Sequence, residues 1–289
     1  MKPVPFDYVS PRSSAETLEA LARYGDEAKV LAGGQSLVPM LNMRLARPAV
    51  VVDVNGVGEL DYLREEGGRL AVGALVRQRG LERWAATRLP LIAEALRWVG
   101  HEAIRTRGTV GGSIAHADPA SELPAVLLCL DGAVVARRNG GERLIPAGEL
   151  FVAPLTTSMR PDELLSEVRF SVPAADAGWG FTEVARRHGD FALVGAAALL
   201  WRGSDGRVTG ARLAFFGAGQ RAERGVAGEA ALAGQPPTAV RLREAARAAA
   251  AALSPDSDLH ATAEYRRRVA AVLAERALDA ALGRAKATS

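Results

Sequence analysis

The sequence predicts an α+β fold, and three observations carry the assignment. The opening segment alternates a helical pattern with β-branched strands, the middle alternates hairpins with helices, and the closing third places strands first and two alanine-rich helices last. At about 150 residues per domain, the 289 residues suggest two compact units, with three small ones open. Breaker-rich passages divide the chain into a small α/β unit over 1–57, a larger α+β unit over 58–176 and an α+β unit over 177–289 whose antiparallel sheet is covered by helices.

The elements follow in order. Ser13 to Glu16 has capping-box spacing, Leu18, Leu21 and Ala22 recur at helical period, and Gly25 stops the helix. Lys29–Ala32 reads as a strand that enters Gly33-Gly34-Gln35-Ser36. A short helix over Leu37–Arg44 comes next, and a second buried strand, Ala49–Val54, runs parallel to the first. Leu60–Arg64 and Arg69–Gly73 flank a hairpin turn, and helices follow over Arg77–Ala86 and Pro90–Val99. Gly108–Pro119 reads as a glycine-rich passage, Ser121–Leu130 as a helix, Ala133–Arg137 with Arg143–Ile145 as a hairpin, and Leu164–Val172 as a strand. After the Pro173–Gly178 linker come strands over Phe181–Arg186, Ala192–Trp201 and Arg207–Phe216, then helices over Thr238–Leu253 and Ala261–Leu282.

Composition narrows the function classes. Hydrophobic residues make up 48% and charged residues 24%, ordinary for a globular protein, and no apolar run reaches the roughly 18 residues that cross a bilayer. MKPVPFDYVS lacks an apolar h-region, so a cytoplasmic chain is expected. The net charge is +3, and only Lys2, Lys29 and Lys286 are lysines; the many arginines are interspersed with acidic and apolar residues, which gives little support to a nucleic-acid surface. Cys129, the single cysteine, sits in an apolar run and reads as a buried, inert thiol. His101, His116, His188 and His260 show no zinc spacing.

Two glycine pairs carry the chemistry. Ala32-Gly33-Gly34-Gln35-Ser36 follows a strand, and Thr109-Val110-Gly111-Gly112-Ser113 follows Arg105-Thr106-Arg107-Gly108. A glycine pair ahead of a small hydroxyl residue lets successive N–H groups face one point, which makes an anion cradle. Neither loop has the G-x-G-x-x-G or G-x-x-x-x-G-K-[ST] spacing, so a dinucleotide would lie between two separate loops.

These residues, with Ile104–Ala125 and Phe181–Ala192, closely resemble the FAD-binding medium subunit of the molybdenum hydroxylases, the family of xanthine dehydrogenase and aerobic carbon monoxide dehydrogenase. The resemblance covers nearly the whole chain. It implies an FAD-binding domain of PCMH type in two parts, followed by the family's C-terminal flavoprotein domain. It further implies that Ala32, Gly33, Gly34, Gln35, Ser36 and Leu37 wrap the FAD pyrophosphate from one side, while Gly111, Gly112 and Ser113 hold it from the other and Thr109 and Val110 shape that loop. Glu122 stands where relatives often carry an aspartate toward the adenosine half, Leu165 matches an apolar cofactor contact, and Thr182 or Glu183 replaces a lysine near the flavin. His101, His116 and Asp118 complete the implied set, although His116 is equally suited to cap a carbonyl and Asp118 to start the following helix. Arg105 and Arg107 carry charge that could neutralise the pyrophosphate, but are expected rather to be solvated or to meet a partner, and Arg186, Arg187 and Asp190 to form a structural ion-pair cluster.

The implied role is an electron-transfer subunit, part of an oxidoreductase, that receives electrons from two [2Fe–2S] clusters in a small iron–sulfur subunit, with substrate oxidised at a molybdenum cofactor in a large subunit. A dimer of such heterotrimers is expected. One cysteine cannot ligate a cluster, which needs four ligands, so the clusters belong to another chain. No residue here is then expected to select the substrate. The alternatives are a freestanding FAD-dependent oxidoreductase, which needs a base near the flavin, and a non-catalytic scaffold without flavin. Valine at Gly33, Gly34, Gly111 or Gly112 is expected to abolish FAD retention with folding largely intact.

Overall fold

The structure is a computed structural model that describes residues 1–287. The first unit starts with β1 (Asp7–Val9) and α1 (Ser14–Tyr24), whose N-cap Ser13 accepts from Glu16 N at 3.1 Å. The Glu16 carboxylate reaches Arg12 N at 2.7 Å instead of the Ser13 amide, so the capping box closes one residue early. β2 (Ala28–Leu31), α2 (Leu37–Asn42) and β3 (Val50–Asp53) follow. The three strands form a parallel sheet of order β1-β3-β2, in which β1, missed in the sequence, occupies an edge. The expected parallel pairing of the other two strands is found, with Val30 opposite Val52.

The second unit comprises β4 (Leu63–Glu66), β5 (Arg69–Gly73), α3 (Gln78–Ala85), α4 (Pro90–Trp98), α5 (Glu102–Arg107), α6 (Val110–His116), α7 (Glu122–Cys129), β6 (Ala133–Arg138), β7 (Gly141–Pro146), α8 (Ala147–Leu150), β8 (Phe151–Ala153), β9 (Thr156–Thr157) and β10 (Leu164–Ser171). Its main sheet is antiparallel, order β4-β5-β10-β6-β7. The passage 108–119, read as glycine-rich and assigned no helix, contains the helix α6, and α5 precedes it. Two glycines lower helix propensity, but the Thr109 cap and the pairing of this segment to residues 74–78 outweigh that cost.

The third unit holds β11 (Gly178–Ala185), β12 (Ala192–Arg202), β13 (Val208–Phe216), β14 (Glu223–Arg224), α9 (Val226–Leu232), α10 (Ala239–Ala251) and α11 (Ala263–Arg284). Its antiparallel sheet, order β11-β12-β13-β14, packs one face on α9–α11 through Val194, Leu200, Phe215, Leu242 and Leu273. The other face, with Ala197, Leu199 and Phe216, joins the core of the second unit, where Leu96, Leu123 and Leu127 are fully buried. The chain is thus the expected α+β architecture, and one continuous core runs from the middle sheet to the C-terminal sheet.

Candidate functional site: a cavity between two glycine loops

A cavity of about 610 Å³ lies where the loop after β2, the loop before α6, the start of α7 and the β11–β12 loop converge. Of the residues implied by the resemblance, Ala32, Gly33, Gly34, Gln35, Ser36, Leu37, Thr109, Gly111, Gly112, Ser113, His116, Asp118, Glu122 and Leu165 line it. The other four do not. Val110 is wholly buried at the first position of α6. His101 lies exposed at the N-cap of α5 and packs on the lining residue Gly189, close enough that a Cβ there would meet His101 Cε1 at 2.7 Å.

Thr182 and Glu183 part company because successive strand residues face opposite sides. Thr182 shares a face with Gly178 and Gly180, whose missing Cβ atoms leave room for the Ala281 and Ala277 carbonyls of α11, and its hydroxyl donates to Leu273 O at 2.9 Å. It therefore points away from the cavity, contrary to the expected flavin contact. Glu183 faces inward, is 8% exposed, and neither carboxylate oxygen has a hydrogen-bond partner.

The first loop is built to donate. Among the described residues, the backbone N–H groups of Gly33, Gly34, Gln35, Ser36 and Leu37 meet no acceptor of the chain. Gly34 makes the turn in the left-handed region at φ +72°, where a side chain would be strained. The Gln35 side chain donates to Gly33 O at 3.0 Å, and Ser36 heads α2 without a side-chain capping bond. Five consecutive free amides beside a cavity form a donor array suited to a pyrophosphate.

The second loop is built to hold itself in place. Val110 N donates to Val76 O at 2.9 Å, Gly111 N to Ala74 O at 3.1 Å, Gly112 N to Thr109 Oγ1 at 3.1 Å and Ser113 N to Thr109 O at 3.1 Å. The amides of Val110 to Ser113 are spoken for, so toward a ligand it offers chiefly the Ser113 hydroxyl, 3.2 Å from the Ser121 hydroxyl, and a small-residue wall. The close approach here is protein against protein: a Cβ on Gly111 would lie 2.6 Å from Ala74 Cβ, and one on Gly33 would lie 2.5 Å from Arg107 O.

Beyond the loops, charge is mostly settled internally. Arg105, expected to be solvated or at an interface, is buried; it donates to Glu82 at 2.9 Å and to the Val99 and Gly100 carbonyls at 3.0 and 3.1 Å. Arg186, Arg187 and Asp190 make no ion pair among the described residues, so the expected cluster does not form. Asp118 Oδ1 accepts from Ala120 N at 2.8 Å, while its Oδ2 is 4.0 Å from His116 Nε2, too long for a hydrogen bond. At the cavity wall, burial and then the nearby Asp118 push the Glu122 carboxyl up to about 7 against the opposing Arg105 charge. Burial and the Glu122 charge push Glu183 up to about 9. Cys129 is fully buried, which raises its thiol to about 12 and keeps it inert.

Sequence reasoning missed Gln78, Leu155, Met159, Gly189 and Phe191 in the lining. Phe191 is 72% exposed at the rim, and no periodicity marks a loop residue brought there by packing of the third unit.

The fold and the donor array suit a cofactor that carries a pyrophosphate, and comparison with known proteins names it. Residues 4–174 match the family described as FAD binding domain in molybdopterin dehydrogenase, and residues 179–281 match the CO dehydrogenase flavoprotein C-terminal domain. The chain belongs to the FAD-binding medium subunits of the molybdenum hydroxylase family, subunits of oxidoreductase complexes. It is similar to the 6-hydroxypseudooxynicotine dehydrogenase complex subunit alpha of Paenarthrobacter nicotinovorans, 42% identical over 100% of this chain and 98% of that one. It is also similar to the caffeine dehydrogenase subunit beta of Pseudomonas sp. (strain CBB1), 42% identical over 98% and 97%. Among solved structures, carbon monoxide dehydrogenase from Hydrogenophaga pseudoflava superimposes with a TM-score of 0.96 at 36% identity, covering 99% of this chain and 100% of that one. FAD is accordingly the cofactor of this chain's N-terminal domain. No described helix is long and apolar enough to cross a membrane.

Proposed function

We propose that this chain is the electron-relay subunit of a cytoplasmic molybdenum hydroxylase, placed between a small iron–sulfur subunit and an external acceptor, in a dimer of heterotrimers with a large molybdenum subunit. The three larger sheets correspond in this reading to units 1–57, 58–176 and 177–289. The observation that carries the site is the run of five free amides at Gly33–Leu37 beside the cavity. Those amides and the Ser36 and Ser113 hydroxyls bind the pyrophosphate, Glu122 takes the ribose hydroxyls on the adenosine side, and Leu165 packs on the cofactor. His101 and Glu183 act from behind the lining, His101 by holding the β11–β12 loop at the rim and Glu183 as a buried, protonated neighbour that adds no second negative charge beside Glu122. When bound, FAD supplies one- and two-electron transfer, which asks this chain for placement and electronic tuning rather than for a nucleophile.

Two features support a relay over a freestanding oxidase. The single buried cysteine leaves the clusters to another chain. Relatives named for caffeine and for 6-hydroxypseudooxynicotine match along essentially the full length, which fits a substrate chosen outside this subunit. The purified full chain should show flavin absorption, or acquire it on addition of FAD, and should oxidise no small molecule unaided. A chain that stays colourless with added FAD removes the flavin reading, and a substrate-oxidising monomer replaces the relay with a freestanding oxidase.

A further inference from the structure

We propose that Asn55 and Arg77 are positioning residues that fix the separation of the two glycine loops and so set how tightly the chain grips a pyrophosphate, an inference that rests on the FAD reading above. Neither side chain lines the cavity. Together they span its two walls from behind. The Arg77 guanidinium donates through one nitrogen to Arg107 O at 2.5 Å and through another to Asn55 Oδ1 at 2.8 Å. The Asn55 amide nitrogen donates in turn to Ala32 O at 2.8 Å.

Both attachment points matter. Ala32 immediately precedes the five free amides, and Arg107 O is the atom against which Gly33 is packed. The strap therefore ties the residue before the donor loop to the carbonyl that backs it. The orientation of the Asn55 amide is fixed chemically, since a guanidinium only donates and a carbonyl only accepts. Asn55 is itself anchored to the first sheet: its N–H donates to Asp53 Oδ1 at 2.9 Å, its side-chain nitrogen to the same oxygen at 2.6 Å, and Tyr8 donates to Asp53 Oδ2 at 2.6 Å. A chain of polar contacts thus runs from β1 through β3 to the segment before α6, where Arg77 also bridges to Thr109.

These bonds lie at the surface, where each adds little to folding stability. Their leverage is geometric, because a donor array works only when its supports hold it to within about half an ångström. The substitution most sensitive to this is not one of charge. Asn55→Ala breaks the strap with the net charge unchanged, and Arg77→Lys keeps the charge but cannot span both acceptors.

The test measures FAD and ADP binding to the deflavo full chain, together with its thermal midpoint, for wild type, Asn55→Ala, Arg77→Ala and Arg77→Lys. All three variants should bind FAD and ADP about tenfold or more weakly, the double variant Asn55→Ala/Arg77→Ala should be no worse than the worse single one, and the midpoint should hold. Wild-type affinity in the variants overturns the strap. So does full rescue by Arg77→Lys, which would make Arg77 a direct electrostatic contact, and so does a collapsed midpoint in both Asn55→Ala and Arg77→Lys, which would make the pair a folding element. If wild type binds neither FAD nor ADP, the FAD reading itself fails, so the two failures are distinguishable.

Discussion

The two glycine loops look alike as sequence and behave differently as structure. Ala32–Leu37 and Thr109–Ser113 each carry a glycine pair and a following serine, yet the first leaves five amides free and the second commits four to Val76, Ala74 and Thr109. The difference lies in what precedes each pair. The first follows the strand β2 and turns through Gly34 before α2 begins, so its amides are left without an acceptor among the described residues. The second is led by Thr109, whose side chain caps the helix it opens, and by a bridge to Arg77 that stitches it to the 74–78 segment. One loop is a binding element and the other the wall that holds it.

The largest effect that would sharpen this contrast comes from the glycines themselves. Gly111→Val should abolish folding, because the added atoms enter the backbone of Ala74, and Gly33→Val should do the same against Arg107 O. The expectation that folding survives valine at all four positions is therefore corrected for these two. Gly34→Ala strains only a local turn at φ +72°, with Val38 and Leu31 side chains at 3.1 and 3.3 Å, so the fold should survive while FAD affinity falls. Circular dichroism beside flavin titration separates the outcomes, and a folded Gly111→Val chain would break the contrast.

A second test concerns charge on the wall side, where Glu183 sits behind Glu122. Glu183 faces Glu122, and Glu122 in turn faces Asp118 and Arg105; Arg105 is already bonded to Glu82. In the unfolded chain Glu183 releases its proton near 4.5, whereas burial and Glu122 keep the folded group protonated to about 9. Between those values the unfolded state binds fewer protons, so stability falls as pH rises through the window. Glu183→Gln has no such linkage. Relative to wild type it should gain about 4 kcal/mol between pH 5 and pH 8, read from denaturant unfolding at each pH. A gap between the proteins that stays constant with pH would mean that Glu183 is ionised in the fold.

Much of the architecture was legible because periodicity reports burial. The parallel pair β2 and β3, the 63–73 and 133–146 hairpins and the long C-terminal helices follow from alternation and helical repeats. The edge strand β1 was not legible, since Asp7, Tyr8 and Val9 carry no buried pattern. Helix α6 was hidden by its glycines. At the site, the loop residues were readable as motifs, but the direction of each N–H was not, and neither was the face of β11 on which Thr182 would fall. That face is set by α11, almost a hundred residues away, through packing that no local signal encodes.

The smallest effect gives the most direct comparison, because it changes one hydroxyl in each loop. Thr109→Ala removes the acceptor for Gly112 N, a capping loss of about 1 kcal/mol in stability. Ser36→Ala removes a hydroxyl that lines the cavity and makes no capping bond, so stability should hold. The ligand effects should run the other way. A hydrogen bond to a charged oxygen is worth enough that Ser36→Ala should weaken FAD binding about tenfold, whereas Thr109→Ala leaves the five free amides in place and should change it far less. Denaturant midpoints and flavin fluorescence titrations on the two variants measure both quantities. If Thr109→Ala lost affinity while Ser36→Ala lost stability, the roles of the two loops would have to be exchanged.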